Sequence, residues 1–229
     1  DFCADSYDVT IVDVNGCSTS PAITSFAISE PAKLIPNGSV ISDYNGQDIS
    51  CVGAADGSIL AAVTGGTPGA PAYEYSIDGI SFDPNPLFTN LVAGPYTITY
   101  RDGNGCDTTE IITLTDPPDL SGAVVVVNPV SCYAADDGAI EFIVNSLNPG
   151  TPGYTYSIDA GFSWQTPSLF TPLAGGLTYE IIVKDVNDCQ DTASIFLAEP
   201  TELVFDTASL TYNGFGVSCF DGSDGQITI

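Results

Sequence analysis

The sequence predicts an all-β protein built as tandem immunoglobulin-like antiparallel β-sandwich domains in a rod-like array. Three observations lead there. The chain repeats itself with a period of about 81 to 89 residues, read by subtracting matching positions. Within each period, short runs rich in β-branched and aromatic residues alternate apolar with polar. Between the runs stand clusters of Gly, Pro, Asn and Asp, which favour tight reversals or positive φ. No segment shows helical spacing.

The repeat is carried by five elements. Tyr7 to Cys17, Tyr96 to Cys106 and Tyr179 to Cys189 align, with an Asp four residues and an Asn two residues before each Cys. Ile49-Ser-Cys51, Val130-Ser-Cys132 and Val217-Ser-Cys219 are each followed five residues after the Cys by Asp-Gly, at Asp56, Asp137 and Asp224. Tyr73-Glu-Tyr75-Ser-Ile-Asp78 matches Tyr154-Thr-Tyr156-Ser-Ile-Asp159, and Phe88-Thr-Asn-Leu91 matches Phe170-Thr-Pro-Leu173. Glu30-Pro31, Asp116-Pro117 and Glu199-Pro200 close the units. The expected organisation is the end of one repeat at 1–33, complete repeats at 34–120 and 121–203, and the start of another at 204–229. Runs such as Ser58–Val63, Tyr73–Ile77, Tyr96–Tyr100 and Glu110–Leu114 are of strand length. Six or seven strands in about 85 residues suit a small sandwich.

Composition excludes several functions. With 29 acidic and 3 basic side chains the net charge is −26, so no cationic surface is offered to nucleic acid or to an anionic membrane. The absence of His excludes Ser-His-Asp and Cys-His catalysis and His-ligated zinc. No apolar run approaches the roughly 18 to 20 residues of a membrane-spanning helix, so direct membrane insertion is not expected. The lack of an initiator Met and of a leader segment predicts a processed chain or a piece of a longer one. Glycoside hydrolysis needs a pair of carboxylates with separated roles. The acids here recur at turns without a unique pair, which predicts that the protein is not an enzyme.

Seven cysteines without a CxxC predict disulfides formed in an oxidising compartment. One scheme pairs cysteines within a unit: Cys51 with Cys106, Cys132 with Cys189, separations of 55 and 57, with Cys3 and Cys17 closing the first fragment. A second pairs Cys17 with Cys51, Cys106 with Cys132 and Cys189 with Cys219, with separations from 26 to 34. Bridges between non-adjacent loops of neighbouring domains are a third. The steadier spacing favours the first scheme, in which each loop closure would contribute about 4 kcal/mol.

The Val-Ser-Cys-Phe-Asp-Gly-Ser-Asp-Gly run at 217–225, the Gly65-Gly66-Thr-Pro68 turn before Tyr73-Glu-Tyr75-Ser, Asn90-Leu-Val-Ala-Gly94-Pro-Tyr96, the Asp-x-Asn-Gly-Cys hairpin and Asp116-Pro-Pro-Asp-Leu120 together resemble the SprB repeat over nearly the whole chain. That family occurs in very large surface adhesins of gliding Bacteroidetes. The resemblance implies an extracellular, outer-membrane-attached protein delivered by type IX secretion and moved by the gliding machinery. It also implies stalk repeats that hold an adhesive region away from the cell, with a surface or polysaccharide gripped by other parts of the parent protein. The alternative is a carbohydrate- or surface-binding adhesion module, with or without calcium. The second repeat departs from the pattern at Asn148-Pro-Gly-Thr-Pro152 and at Asn187-Asp188, where Asn-Gly is usual.

No cofactor is expected unless calcium binds, and the candidates for that are Asp102 and Asn104, Asp136 and Asp137, and Asp185, Asn187 and Asp188. The same residues also serve to shape turns and to solvate the surface. O-glycosylation candidates implied by the resemblance are Thr108, Thr192 and Thr207. Trp164 stands at the position of Phe82, which marks it as a packing residue rather than a sugar platform. Tyr73 and Tyr75, like Tyr154 and Tyr156, alternate, so one of each pair is expected inside and the other outside.

Overall fold

A strand buries its alternate residues, and the run Gly94-Pro-Tyr-Thr-Ile-Thr-Tyr-Arg-Asp102 does so, with Ile98 and Tyr100 fully buried between more exposed neighbours. The computed structural model describes residues 2–18, 24–69, 72–205, 208–209, 211 and 214–228, and every regular element among them is a strand. The chain divides into two compact units, Asp1–Pro118 and Asp119–Ile229.

The first unit opens with an antiparallel hairpin, β1 (Asp5–Val9) against β2 (Thr24–Ile28). Then follow β3 (Ala32–Pro36), β4 (Ser39–Val40), β5 (Gly57–Leu60), β6 (Val63–Gly66), β7 (Tyr73–Ser76), β8 (Leu87–Leu91), β9 (Gly94–Asp102) and β10 (Asp107–Leu114). One layer orders β4-β5-β8, with β3 paired antiparallel to β6 beside it, and the other orders β10-β9-β7. The second unit repeats this with fewer interruptions: β11 (Leu120–Asn128), β12 (Gly138–Pro149), β13 (Thr155–Ser157), β14 (Leu169–Leu173), β15 (Leu177–Lys184) and β16 (Gln190–Leu197). Its sheets order β11-β12-β14 and β13-β15-β16. Each unit is thus an antiparallel sandwich of immunoglobulin-like architecture.

Strand direction gives each sandwich two distinct ends. β3 starts with Ala32 opposite Gly66, and β11 starts with Leu120 opposite Pro149. The hairpins that end β9 and β15 lie at the same end, because Gly103 N–H donates to Thr67 O at 3.0 Å and Val186 N–H to Thr151 O at 3.4 Å. This is the N-terminal pole. β10 and β16 run away from it to the C-terminal pole, where Asp116 and Glu199 follow them.

The two cores exchange volume. In the first, Tyr100 of β9 is fully buried and Ala61 stands between β5 and β6; in the second, the corresponding residues are Val183 of β15 and Phe142 of β12. Tyr100 meets Tyr75 edge-on at 5.9 Å, and Phe142 meets Tyr156 at the same 5.9 Å. The large ring that packs on the second Tyr of Tyr-x-Tyr therefore comes from opposite sheets in the two repeats, as a conserved core volume requires. Gly57 and Gly138 admit no side chain. A Cβ would lie 2.6 Å from Ile49 Cδ1 at Gly57 and 2.6 Å from Leu197 Cδ2 at Gly138, which explains the Gly of each Asp-Gly.

Candidate functional site

The elements that recur in the sequence are polar clasps. In each Asp-x-Asn-x-Cys hairpin the Asp N–H donates to the Cys carbonyl, at 2.9 Å for Asp13, 2.9 Å for Asp102 and 3.0 Å for Asp185. The residue before the Cys takes positive φ: 84° at Gly16, 79° at Gly105 and 66° at Asp188. Gly supplies that conformation freely, and Asp is among the few residues that tolerate it. Lys184 Nζ donates to Asp188 Oδ1 at 2.8 Å. The hairpin Asp then accepts two further amides on Oδ1, from Asn15 and Cys17, from Asn104 and Cys106, or from Asn187 and Cys189, all at 2.8 to 3.0 Å. In the complete repeats Oδ2 accepts a third at 2.8 Å, from Thr67 onto Asp102 and from Thr151 onto Asp185. Both carboxylates are buried.

The other motifs work the same way. Asp56, Asp137 and Asp224 accept the amide of the Ser before the loop cysteine, at 3.2, 3.0 and 3.0 Å. Asp116 and Glu199, the acids before the closing Pro, accept Gly53 N–H at 3.0 Å and Ala134 N–H at 2.7 Å. Asp78 accepts Ile80 N–H, Ser81 N–H and Ser76 Oγ–H, and Asp159 accepts Ser157 Oγ–H together with Ser163 N–H and Oγ–H. Each first Tyr of the hairpin element donates its hydroxyl to a carbonyl four or five residues upstream, Tyr7 to Cys3, Tyr96 to Val92 and Tyr179 to Ala174.

At Asp78, Asp102, Asp137 and Asp159 these bonds favour the ionised carboxylate. Donation from Ser163 and Ser157 holds Asp159 down at about 2, the Ser81 and Ile80 amides lower Asp78, the Thr67 amide lowers Asp102, and Ser131 lowers Asp137. Their unfolded values lie near 3.9. Stability from such depressed groups is present above about pH 4 and is lost as pH falls through the folded values. Melting temperature is therefore expected to fall between about pH 4 and pH 2, and Asp159→Asn to flatten that fall; equal pH dependence in variant and parent would contradict the assignment.

The calcium candidates take their places in this scheme. Asp102 with Asn104, and Asp185 with Asn187 and Asp188, share hairpins, but the oxygens of Asp102 and Asp185 are turned onto amides. Asp137 serves the cysteine loop, with Asp136 beside it. No three acidic or sulfur side chains converge among the described residues. A shallow cleft of about 270 Å³ at the N-terminal pole of the first repeat is lined by Lys33, Leu34, Gly66, Asp102 and Cys106 among others. Thr108 is half-buried at the start of β10, Thr192 is exposed on β16, and Thr207 lies outside the described residues.

The cysteines require a correction. Cys51 and Cys189 are disulfide-bonded. Cys3, Cys17, Cys106, Cys132 and Cys219 are exposed thiols, so neither Cys51–Cys106 nor Cys132–Cys189 forms, nor does Cys3–Cys17, and none of the pairs of the second scheme forms either. The reason is topological. Cys106 precedes β10 at the N-terminal pole, whereas the Cys51 loop is tied to Asp116 beyond the far end of β10. The 8 residues of that strand span about 26 Å. A disulfide needs Cα atoms within about 7 Å. Cys132 and Cys189 stand at opposite ends of β16 in the same way.

The tyrosines of the Tyr-x-Tyr elements serve the fold. Tyr75 and Tyr156 pack in the cores, and Tyr73 and Tyr154 are half-buried rather than outside, with hydroxyls donated to Gly65 O at 2.8 Å and Pro149 O at 2.7 Å. Trp164 is half-buried, with Lys184 Nζ 4.8 Å from its ring centroid, and Arg101 Cζ lies 3.4 Å from that of Phe82. Two of the chain's three basic residues thus cap equivalent rings. Neither these pairs nor the roles of Asp78 and Asp159 were read from the sequence, although recurrence at equivalent positions was the available signal.

Residues 44–82, which run from the segment before the Cys51 loop through β7 to Phe82, match the family model described as the SprB repeat. No curated protein matches the chain. Among solved structures, domains 4 and 5 of the S-layer protein SbsC align with 74% of this chain and 100% of that one, at 12% identity and a TM-score of 0.29. The C-terminal 282-residue fragment of intimin, solved with the intimin-binding domain of the translocated intimin receptor, aligns with 82% of this chain and 69% of that one, at 12% identity and a TM-score of 0.31.

Proposed function

Because residues 44–82 match the model of the SprB repeat, we propose that the chain forms non-catalytic stalk repeats of a very large cell-surface adhesin that serves gliding motility and surface attachment. The family match, on a chain whose second unit repeats the matched motifs, is the observation that carries this reading. The chemistry agrees with it: the recurrent acids hold turns, the paired tyrosines hold cores, and the polar groups are spent on the fold rather than aimed at a cleft. In this reading the chain lies outside the cell, attached to the outer membrane, and reaches it by type IX secretion. Contact with a surface or polysaccharide belongs to other regions of the parent protein, and the gliding machinery is its partner. The net charge of −26 keeps neighbouring repeats soluble and mutually repelling. The reading is tested by asking whether purified repeats hold a bead to a surface by themselves, which spacer domains do not.

A further inference from the structure

In the second sandwich the sheet β11-β12-β14 buries Ile140, Phe142 and Phe170 on its inner side, so alternation turns the residues between them outward. Ala123 stands beside Ile143, and Val125 beside Glu141, which stands beside Leu169. Val125, Val127, Ile143 and Leu169 are each between 40% and 52% exposed. Leu147, opposite a register shift in β12, is 85% exposed. It lies in an insertion: Gly150 follows Val144 by six positions, whereas the equivalent Gly66 follows Val63 by three. Both glycines are fixed by the hairpin acid, since an added Cβ would stand 2.8 Å from Asp102 Oδ2 or Asp185 Oδ2.

The fold itself does not call for this apolar face. In the first sandwich Ser39 stands opposite Leu60, which stands opposite Leu87, so Ser39 takes the place of Val125. Asn37 N–H donates to Ala62 O at 2.7 Å, which puts Asn37 and Ala62 at the places of Ala123 and Ile143. The same architecture thus forms with polar or smaller residues at three positions where the second sandwich carries larger apolar ones.

We propose that the outward face of β11, β12 and β14 is a self-association surface, on which a second copy of the chain lays the same face about a two-fold axis. Charge selects this partner. The chain has 29 acidic and 3 basic side chains, yet the three strands hold a single ionisable residue, Glu141. Its Oε1 accepts Ser168 Oγ–H at 2.8 Å, which draws the carboxylate toward the sheet's own edge. A cationic partner is attracted to the acidic remainder of the surface, whereas another acidic chain approaches most closely where acids are missing. The face measures roughly 30 Å by 14 Å, from the nine residues of β11 and three strand spacings, or about 400 Å² per copy. An interface of that size forms a weak, reversible dimer. Long-range repulsion between the copies makes the dimer depend on salt, which screens it beyond about 8 Å at physiological ionic strength.

The test is sedimentation equilibrium of the whole chain, its thiols alkylated so that no covalent dimer forms. It is run over about a hundredfold range of concentration at about 0.02 M and about 0.5 M salt. The expected result is an average mass that rises with concentration toward twice the chain mass, with tighter association at the higher salt. Placing the first repeat's residues on the face, as Ala123→Asn, Val125→Ser and Ile143→Ala together, should weaken association by about tenfold or more. Glu141→Leu, which copies Leu60, should strengthen it, and Phe196→Ser, on the outward side of β16 in the other sheet, should leave it unchanged. A parent monomeric at both salts would overturn the proposal and leave the face to a partner of another kind. Undiminished association in the triple variant, or loss in Phe196→Ser alone, would overturn it as well. A cooperative thermal melt of the triple variant shows that lost association is not lost folding. Mass reads association alone, so its outcome is independent of the stalk reading.

Discussion

Replacing Asp185 with Ala is expected to destabilise the second sandwich by about 3 to 5 kcal/mol. That corresponds to a fall in its melting temperature of more than about 10 °C. The carboxylate is 3% exposed and accepts three amides, from Thr151, Asn187 and Cys189. Hydrogen bonds to a charged acceptor contribute about 1.5 to 3 kcal/mol each, and a buried donor left without one costs its full desolvation. Thr151, itself 6% exposed, would lose the acceptor of its backbone amide. Asp185→Asn keeps one acceptor oxygen and should fall between the parent and the Ala variant. Thermal melts of the three proteins check this, and an Ala variant within about 1 °C of the parent would contradict the structural role assigned to the hairpin acid.

Phe142→Ala should cost about 3 to 5 kcal/mol in the same unit, through lost burial and the cavity left behind. Phe142 is 1% exposed, and its ring occupies the space over Gly122, where an added Cβ would stand 2.2 Å from Cε1. The relation between the repeats supplies a control. The first repeat fills the equivalent volume with Tyr100 from the other sheet and leaves Ala61 at the Phe142 position. Introducing Val183→Phe into the Phe142→Ala background should therefore recover part of the loss. Phe rather than Tyr is the choice, because the Tyr100 hydroxyl donates to Glu110 at 2.9 Å and the second repeat has Ala193 at that position. Denaturant melts that show no recovery would mean that the two cores are not interchangeable fillings of one volume.

Strands and turns were legible in the sequence because they are local. The alternation Tyr96-Thr-Ile-Thr-Tyr100 buries Ile98 and Tyr100, and the Asp102-Gly-Asn-Gly-Cys106 cluster forms the hairpin its composition requires. Cysteine geometry was not legible, because it depends on how many times the chain crosses the sandwich. From Cys51 the chain crosses along β5 and β6, returns along β7 and β8, and crosses again along β9 to Cys106. An odd number of crossings puts the two sulfurs at opposite poles, however steady their spacing in sequence. The roles of the acids were half legible. Their positions at turns follow from the recurrent Asp and Asn, but their partners, such as Thr67 N–H 35 residues away from Asp102, are fixed only once the strands have paired.

The central claim is that these repeats span a distance and do not grip. The most direct measurement is retention under flow of beads coated with the purified chain, over glass and over immobilised polysaccharide, in millimolar calcium and in chelator at matched ionic strength. The account predicts that coated beads leave at the same shear as uncoated ones in every condition. Saturable retention on a polysaccharide, above all retention lost in chelator, would contradict it and make the chain a binding module.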